Sequence, residues 1–273
     1  MAPVFPLSPR AFVASLWRHR DLVVQMTERD TRSRYRGSAG GIFWSVANPL
    51  LMLAVYVVFF SQVFPSKWSS GAGPTPDFAL TLFVGLLIHG FFSEALIRGP
   101  GLIVTQPNLV RRVVFPLELL PVIAIGSALF HLLIGWGVWL AFHVLLRGLP
   151  PATALLFPLV VLPLALLTLG VTWALASLGV YLRDIGHVVP VIGGVLLFAS
   201  PVFYPLDALA SPFREIVMLS PLTLPIVMAR EVLLSGRPPD FADYAIYFAI
   251  AFSIAWLGFA WFQGTRKGFA DVL

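Results

Sequence analysis

The feature that most constrains this chain is a set of long runs without a charged side chain. Phe43 to Phe64 is 22 such residues, Leu119 to Leu146 is 28, and Thr153 to Leu182 is 30. Ile185 to Leu206 and Tyr244 to Thr265 are 22 each, and Phe78 to Ile97 is 20 with Glu94 as its only charge. A helix needs about 20 apolar residues to cross a hydrocarbon layer about 30 Å thick, so six spans are predicted. Composition agrees, with 58% of residues hydrophobic and 11% charged, against about 25% charged in a soluble domain. Such a chain lacks the polar surface to stay in water. The expected fold is an all-α membrane protein.

The chain is expected to divide into a cytoplasmic N-terminal segment (1–42), a transmembrane domain (43–265) and a cytoplasmic tail (266–273). The spans are expected at about 43–64, 78–98, 119–146, 153–182, 185–206 and 244–265, with Pro158, Pro163, Pro190 and Pro201 predicting kinks. Residues 1–40 carry seven Arg and no long apolar core, which predicts an N-terminus without a cleaved signal. Positive residues accumulate in cytoplasmic loops. Six spans put both termini and the even loops on one side, which holds 13 of the 18 Lys and Arg, from Arg10 to Arg36 and then Arg98, Arg111, Arg112, Arg183, Arg266 and Lys267. The other side holds Lys67, Arg147, Arg214, Arg230 and Arg237. Both termini of this multi-pass protein are therefore expected in the cytoplasm. The basic pI is a topology signal rather than a sign of nucleic-acid binding.

Two segments are neither span nor plain loop. Phe12, Val13, Leu16, Trp17, Val23 and Val24 recur at helical spacing, with Arg18, Asp21, Gln25 and Glu28 opposite and Arg20 at the boundary. This predicts an amphipathic helix lying in the membrane interface. On the other side, 207–243 contains two short apolar pieces, Phe213–Leu219 and Leu222–Leu234, broken by Ser220-Pro221 and Pro225. Each is too short to span, so a re-entrant outer helical hairpin between spans five and six is expected.

Several chemistries are excluded. The chain contains no Cys, so disulfides, thiolate catalysis and Cys-ligated metals do not arise. Its two lysines, Lys67 and Lys267, do not follow glycine, and no P-loop, H-E-x-x-H or G-x-S-x-G motif occurs. His131 and His143 lie 12 residues apart on one helix, about 18 Å along its axis, too far to share an ion, so no metal site is expected. Glu94 is the one carboxylate well inside a span, and Arg98 four residues on predicts an i,i+4 pair. A proton-coupled carrier would carry more intramembrane charge than this. No catalytic constellation is visible, so the chain is not expected to be an enzyme, and its work must be driven by something that docks on it.

Several stretches resemble one family in order along the chain: R-D-T-R-S-R-Y-R-G-S-A-G-G-I-F-W-S-V-A-N-P-L (29–50), N-L-V-R-R-V-V-F-P-L-E (108–118) and Arg183-Asp184-Ile185. Ser200–Pro205 with Ser220-Pro221-Leu222-Thr223, and the final G-F-A-D-V-L, continue the series. They resemble ABC-2 type export permeases, the membrane subunits of ABC transporters for O-antigen, teichoic acid and capsular polysaccharides. The resemblance implies a homodimer with two copies of a separate cytoplasmic ATPase that carries ATP and Mg, leaving no cofactor in this chain. It implies a coupling helix in 99–116, with Leu102, Ile103, Val104, Pro107, Asn108 and Leu109 as docking surface, and a second contact at Arg183, Asp184 and His187. A lipid-linked glycan is the expected cargo. Arg29, Arg32, Arg34 and Arg36 are candidates for its pyrophosphate head, since Arg suits bidentate phosphate contact. Tyr56, Phe59, Phe60, Phe198, Phe203 and Tyr204 are candidates for lining a glycan channel. Exporters of a small drug or lipid, and an integral-membrane enzyme acting on lipid-linked sugars, are the alternatives.

Overall fold

The computed structural model describes residues 8–37, 40–63, 76–111 and 115–273; the candidate anchor Arg112 and the loop residue Lys67 lie outside them. Every regular element among the described residues is helical. The N-terminal segment forms α1 (Pro9–Arg18) and α2 (Arg20–Arg34), and α3 (Trp44–Val63) and α4 (Pro76–Arg98) follow. Two short helices, α5 (Gly101–Val104) and α6 (Pro107–Arg111), lead to the long α7 (Leu119–Arg147). Then come α8 (Phe157–Tyr181), α9 (Ile185–Phe198), α10 (Phe213–Met218), α11 (Thr223–Arg230), α12 (Phe241–Thr265) and α13 (Phe269–Val272).

Four helical stretches among the described residues are long and apolar enough to cross a membrane: Asp77–Arg98, Leu119–Arg147, Ala152–Tyr181 and Phe241–Val272. Predicted span five is shorter than expected. Helix α9 ends at Phe198 after 14 residues, about 21 Å at 1.5 Å per residue. Beyond it Pro201 and Pro205 cannot donate backbone hydrogen bonds, and Ser200 to Phe203 turn back into the protein as buried residues. Ser200 Oγ meets Ser220 Oγ at 2.6 Å, which ties this turn to the segment joining α10 and α11.

Helix α8 forms the centre of the bundle, with α12 along its length and α4 and α7 beside it. Glycine makes the α8–α12 contact possible. A Cβ on Gly258 would collide with the Gly170 backbone, and one on Gly170 would strike Ile254 and Ala255 backbone atoms. Small residues at such a crossing let two backbones approach closely, which strengthens van der Waals packing where lipid offers no hydrophobic drive. Among the described residues the fully buried indoles of Trp139 and Trp173 spend their N–H groups on carbonyls: Trp139 Nε1 donates to Leu80 and Trp173 Nε1 to Glu118.

The N-terminal helices lie against the bundle, and their apolar stripe divides along its length. Phe12 packs edge-on to Trp173, with ring centroids 4.9 Å apart, and Leu16, Leu22, Val23 and Met26 also meet the core. Val13, Trp17 and Val24 face outward and are more than half exposed. A break in helicity at His19 separates the two pieces. One flank of the stripe thus serves the fold, and the other is left for an apolar surrounding.

Candidate functional site

Polar side chains concentrate where α2 meets α4 and α7. Arg98, at the end of α4, donates Nη2 to both oxygens of Asp30 on α2, at 2.7 and 2.8 Å. Ser127 on α7 donates to the same carboxylate at 2.6 Å. One turn further along α2, Arg34 pairs with Glu94 of α4, and Glu94 accepts from His131 Nδ1 of α7 at 2.9 Å. Tyr35 OH lies 2.9 Å from His131 Nε2. Three elements distant in sequence are thereby locked together by charge-assisted bonds, which are shorter and stronger than neutral ones.

Glu94 is thus not paired with Arg98 four residues along, as helical spacing predicts. Both side chains reach across to α2 instead. Glu118 makes a similar junction nearby: Arg266 Nη1 donates to it at 2.6 Å and Ser15 Oγ at 3.2 Å. It ties α1 to the end of α12.

Burial alone would raise the pKa of Asp30, but hydrogen bonds from Arg98 and Ser127 and the charges of Arg98 and Arg34 outweigh it. The carboxyl is held below its ordinary value. A carboxyl lowered on folding stabilises the protein fully above its unfolded pKa, and that contribution fades as pH falls through the folded pKa. The stability difference between wild type and Asp30→Asn is expected to be full above about pH 5 and to shrink below about pH 4. Thermal unfolding in detergent across this range measures it, and a difference that widens with acidity would contradict the lowered pKa.

Three cavities surround this junction. The first, about 310 Å³, lies between α3, α4, α7 and α9, with Glu94, His89 and His131 on a wall otherwise built by apolar side chains such as Phe83 and Leu132. The second is a groove of about 840 Å³ between α2 and α7. Val23, Val24, Gly126 and Phe130 line its apolar part, and Thr27, Glu28, Thr31, Arg32, Tyr35 and Arg36 its polar part. The third, about 330 Å³, lies where α2, α4, α5, α6 and α7 converge.

The structure redistributes the residues expected to act. The four arginines of α2 and its C-terminal turn do not form one patch. Arg34 turns inward to Glu94, Arg32 and Arg36 line the groove, and Arg29 lines the third cavity. Arg32 also forms an ion pair with Glu28. In the expected docking segment, Leu102 and Ile103 are buried, 7% and 0% exposed, against α8. They are core rather than docking surface. Packing explains the apolar trio Leu102–Val104, because Gly179 of α8 lets the Pro100 backbone approach and Gly99 does the same for Leu175. Val104, Pro107 and Leu109 are half-buried, while Asn108, Arg183, Asp184 and His187 remain exposed.

Of the expected channel residues, Phe203 is buried, with its ring centroid 5.4 Å from that of Phe198. Tyr204 is half-buried and donates its hydroxyl to the Phe198 carbonyl at 2.7 Å. Phe198 alone of these three is exposed, at 63%. The side chains of Tyr56, Phe59 and Phe60 lie outside the described residues. Asp30, Ser127, Tyr35, His131 and Glu118 are central here, yet sequence reasoning assigns them no such role. Asp30, Tyr35 and Glu118 fall within family-like stretches, and His131 is conspicuous as an intramembrane histidine, but no local spacing connects them.

Residues 21–234 match the ABC-2 type transporter family. The chain is 29% identical over 261 residues to the O-antigen export system permease protein RfbA of Myxococcus xanthus, covering 95% of this chain and 98% of that one. It is 25% identical over 255 residues to the O-antigen export system permease protein RfbA of Klebsiella pneumoniae, covering 93% and 95%.

Proposed function

This chain belongs to the ABC-2 type transporter family, and from that premise we propose that it is the permease subunit of an ATP-driven exporter of an O-antigen-like, lipid-linked polysaccharide. It is a multi-pass membrane protein and a transport subunit, with ATP hydrolysis left to a partner ATPase. On our reading it works in the bacterial inner membrane as a homodimer with two ATPase copies, both termini cytoplasmic, and ATP and Mg bound only by the partner. Six crossings are proposed, α3 and the α9 region completing the four long helices, with α10 and α11 as a re-entrant hairpin at the outer face. The exposed apolar faces of α3 (Leu51, Met52, Val55) and α9 (Val188, Val191, Val195) support a subunit or lipid contact along these helices.

The observation that carries the cargo class is the groove between α2 and α7. Its apolar lining suits a hydrocarbon anchor, and Arg32 and Arg36 offer the planar donors that suit a pyrophosphate. A glycan too long to be enclosed by a rocking carrier needs a continuous path between subunits, held by loose, repeated contacts. On this reading the exposed Asn108, Arg183 and Asp184 meet the ATPase. The buried Leu102 and Ile103 then pass its movement directly into α8.

Arg32→Gln combined with Arg36→Gln is expected to lower surface glycan at least tenfold, with the subunit still assembled at normal abundance. Arg34 is left intact in this test because it holds the fold. Normal surface glycan in the double variant would remove the head-group role. Native mass spectrometry of the tagged chain tests the assembly: a 2:2 complex with an ATP-binding subunit is expected, and a stable species without one would overturn the reading.

A further inference from the structure

The first cavity lies among apolar helices yet presents ionisable groups. Glu94 and His131 line it and keep 21% and 18% of their side-chain surface exposed, so both can be reached. His89 lines it as well and is held by one side of its ring. Its Nε2 donates to the Gly193 carbonyl at 2.9 Å and lies 3.0 Å from Ser93 Oγ, while Nδ1 makes no hydrogen bond among the described residues. In the neutral ring that nitrogen is an acceptor. Polar groups facing an apolar cavity at membrane depth are costly unless something polar meets them, and ionisable ones there mark substrate paths by default. A shared contact joins this cavity to the groove between α2 and α7. Tyr35 lines the groove, His131 lines the cavity, and Tyr35 OH lies 2.9 Å from His131 Nε2. A group seated on Arg32 and Arg36 therefore has the cavity as its neighbour, just beyond the Tyr35–His131 pair.

Resting on the reading that the groove takes a lipid pyrophosphate, we propose that the first cavity binds the sugar joined to that pyrophosphate. Its hydroxyls donate to His89 Nδ1 and to the Glu94 carboxylate, which has acceptor sites beyond those used by Arg34 and His131. Its C–H faces meet the apolar wall at Phe83 and Leu132. A cavity of about 310 Å³ is at the small end of ligand pockets, so it takes one sugar unit at the anchored end and not a length of polymer. The protein thereby recognises the head group and the first sugar together.

The test uses the full chain in detergent micelles, titrated with farnesyl diphosphate and with farnesyl diphosphate carrying glucose, galactose or N-acetylglucosamine in turn. Binding is read by thermal stabilisation and by ligand retained in native mass spectrometry. At least one sugar compound is expected to bind about fivefold more tightly than farnesyl diphosphate, the factor that one added hydrogen bond gives. His89→Leu is expected to abolish that gain and to leave the affinity for farnesyl diphosphate unchanged. Gly90→Leu should do the same by filling the cavity, because Gly90 lines it and an added Cβ there meets no other atom within 4 Å. Glu94 and His131 stay intact because they hold α2 to the bundle. Farnesyl diphosphate that fails to bind, or that binds the Arg32→Gln, Arg36→Gln double variant equally well, would remove the head-group reading and the proposal with it. Normal binding of farnesyl diphosphate with no gain from any of the sugars, or a gain that survives both cavity variants, would overturn the sugar site alone.

Discussion

Glu94→Ala is expected to destabilise the folded chain by about 3 kcal/mol, the lower end of the range for removing one partner from a buried ion pair. The lower end applies because Arg34 and Glu94 keep 27% and 21% of their side-chain surface exposed. The loss comes less from the missing attraction than from what is left behind. Without Glu94, the Arg34 guanidinium has only Asp30, at 3.9 Å, as a carboxylate neighbour, and His131 Nδ1 loses its acceptor. Arg34→Ala should be costly for the converse reason. The Arg34→Ala, Glu94→Ala double variant should be less damaged than the sum of the two, because no uncompensated charge remains. Thermal unfolding of the four proteins in one detergent measures the coupling. Additive losses would show that the two side chains do not act as a pair.

Gly258→Ala should be at least as damaging, by about 3 kcal/mol, the upper part of the range for overpacking. A new Cβ there meets the carbonyl oxygen, carbonyl carbon and Cα of Gly170. Backbone cannot yield by changing rotamer, so α8 and α12 must separate along the contact that centres the bundle. At Gly264, on the same α12, an added methyl group would meet no other atom within 4 Å. Gly264→Ala should therefore stabilise, by up to the ~1 kcal/mol by which alanine exceeds glycine in a helix interior. Expression level and unfolding temperature in a common detergent compare the two. Equal effects of the two substitutions, or a tolerated Gly258→Ala, would mean that the helices do not cross at these glycines.

Much of the architecture is legible because it depends on quantities that run along the chain. Predicted span one (43–64) and the helix Trp44–Val63 nearly coincide, as do 119–146 and Leu119–Arg147. The two apolar pieces between Asp207 and Asp243 are indeed two short helices, though α11 is buried while Phe213, Ile216 and Leu219 on and beside α10 are exposed. Span five comes out too long from sequence because Ile185 to Leu206 is uniformly uncharged. Hydropathy does not register that the helix stops short of Pro201 and that the following residues fold back.

The candidate site is less legible. Leu102 and Ile103 suggest a docking surface because an apolar trio in a loop needs some partner, and the partner is the chain's own α8, reached through Gly99 and Gly179. Arg34 belongs to a basic cluster when read as a string, yet its helical position turns it toward Glu94 while Arg32 and Arg36 face the groove.

The sequence by itself determined that this chain belongs in a membrane, that its elements are helices, and roughly where most of them lie. Run length and charge are one-dimensional, and a bilayer reads them directly. Only the tertiary structure decided which charges meet. Asp30 and Arg98 are 68 residues apart and Ser15 and Glu118 are 103 apart. Their contacts depend on the rotation of each helix about its axis and on the glycine-set distance between helices, and neither quantity is carried by any local run of residues.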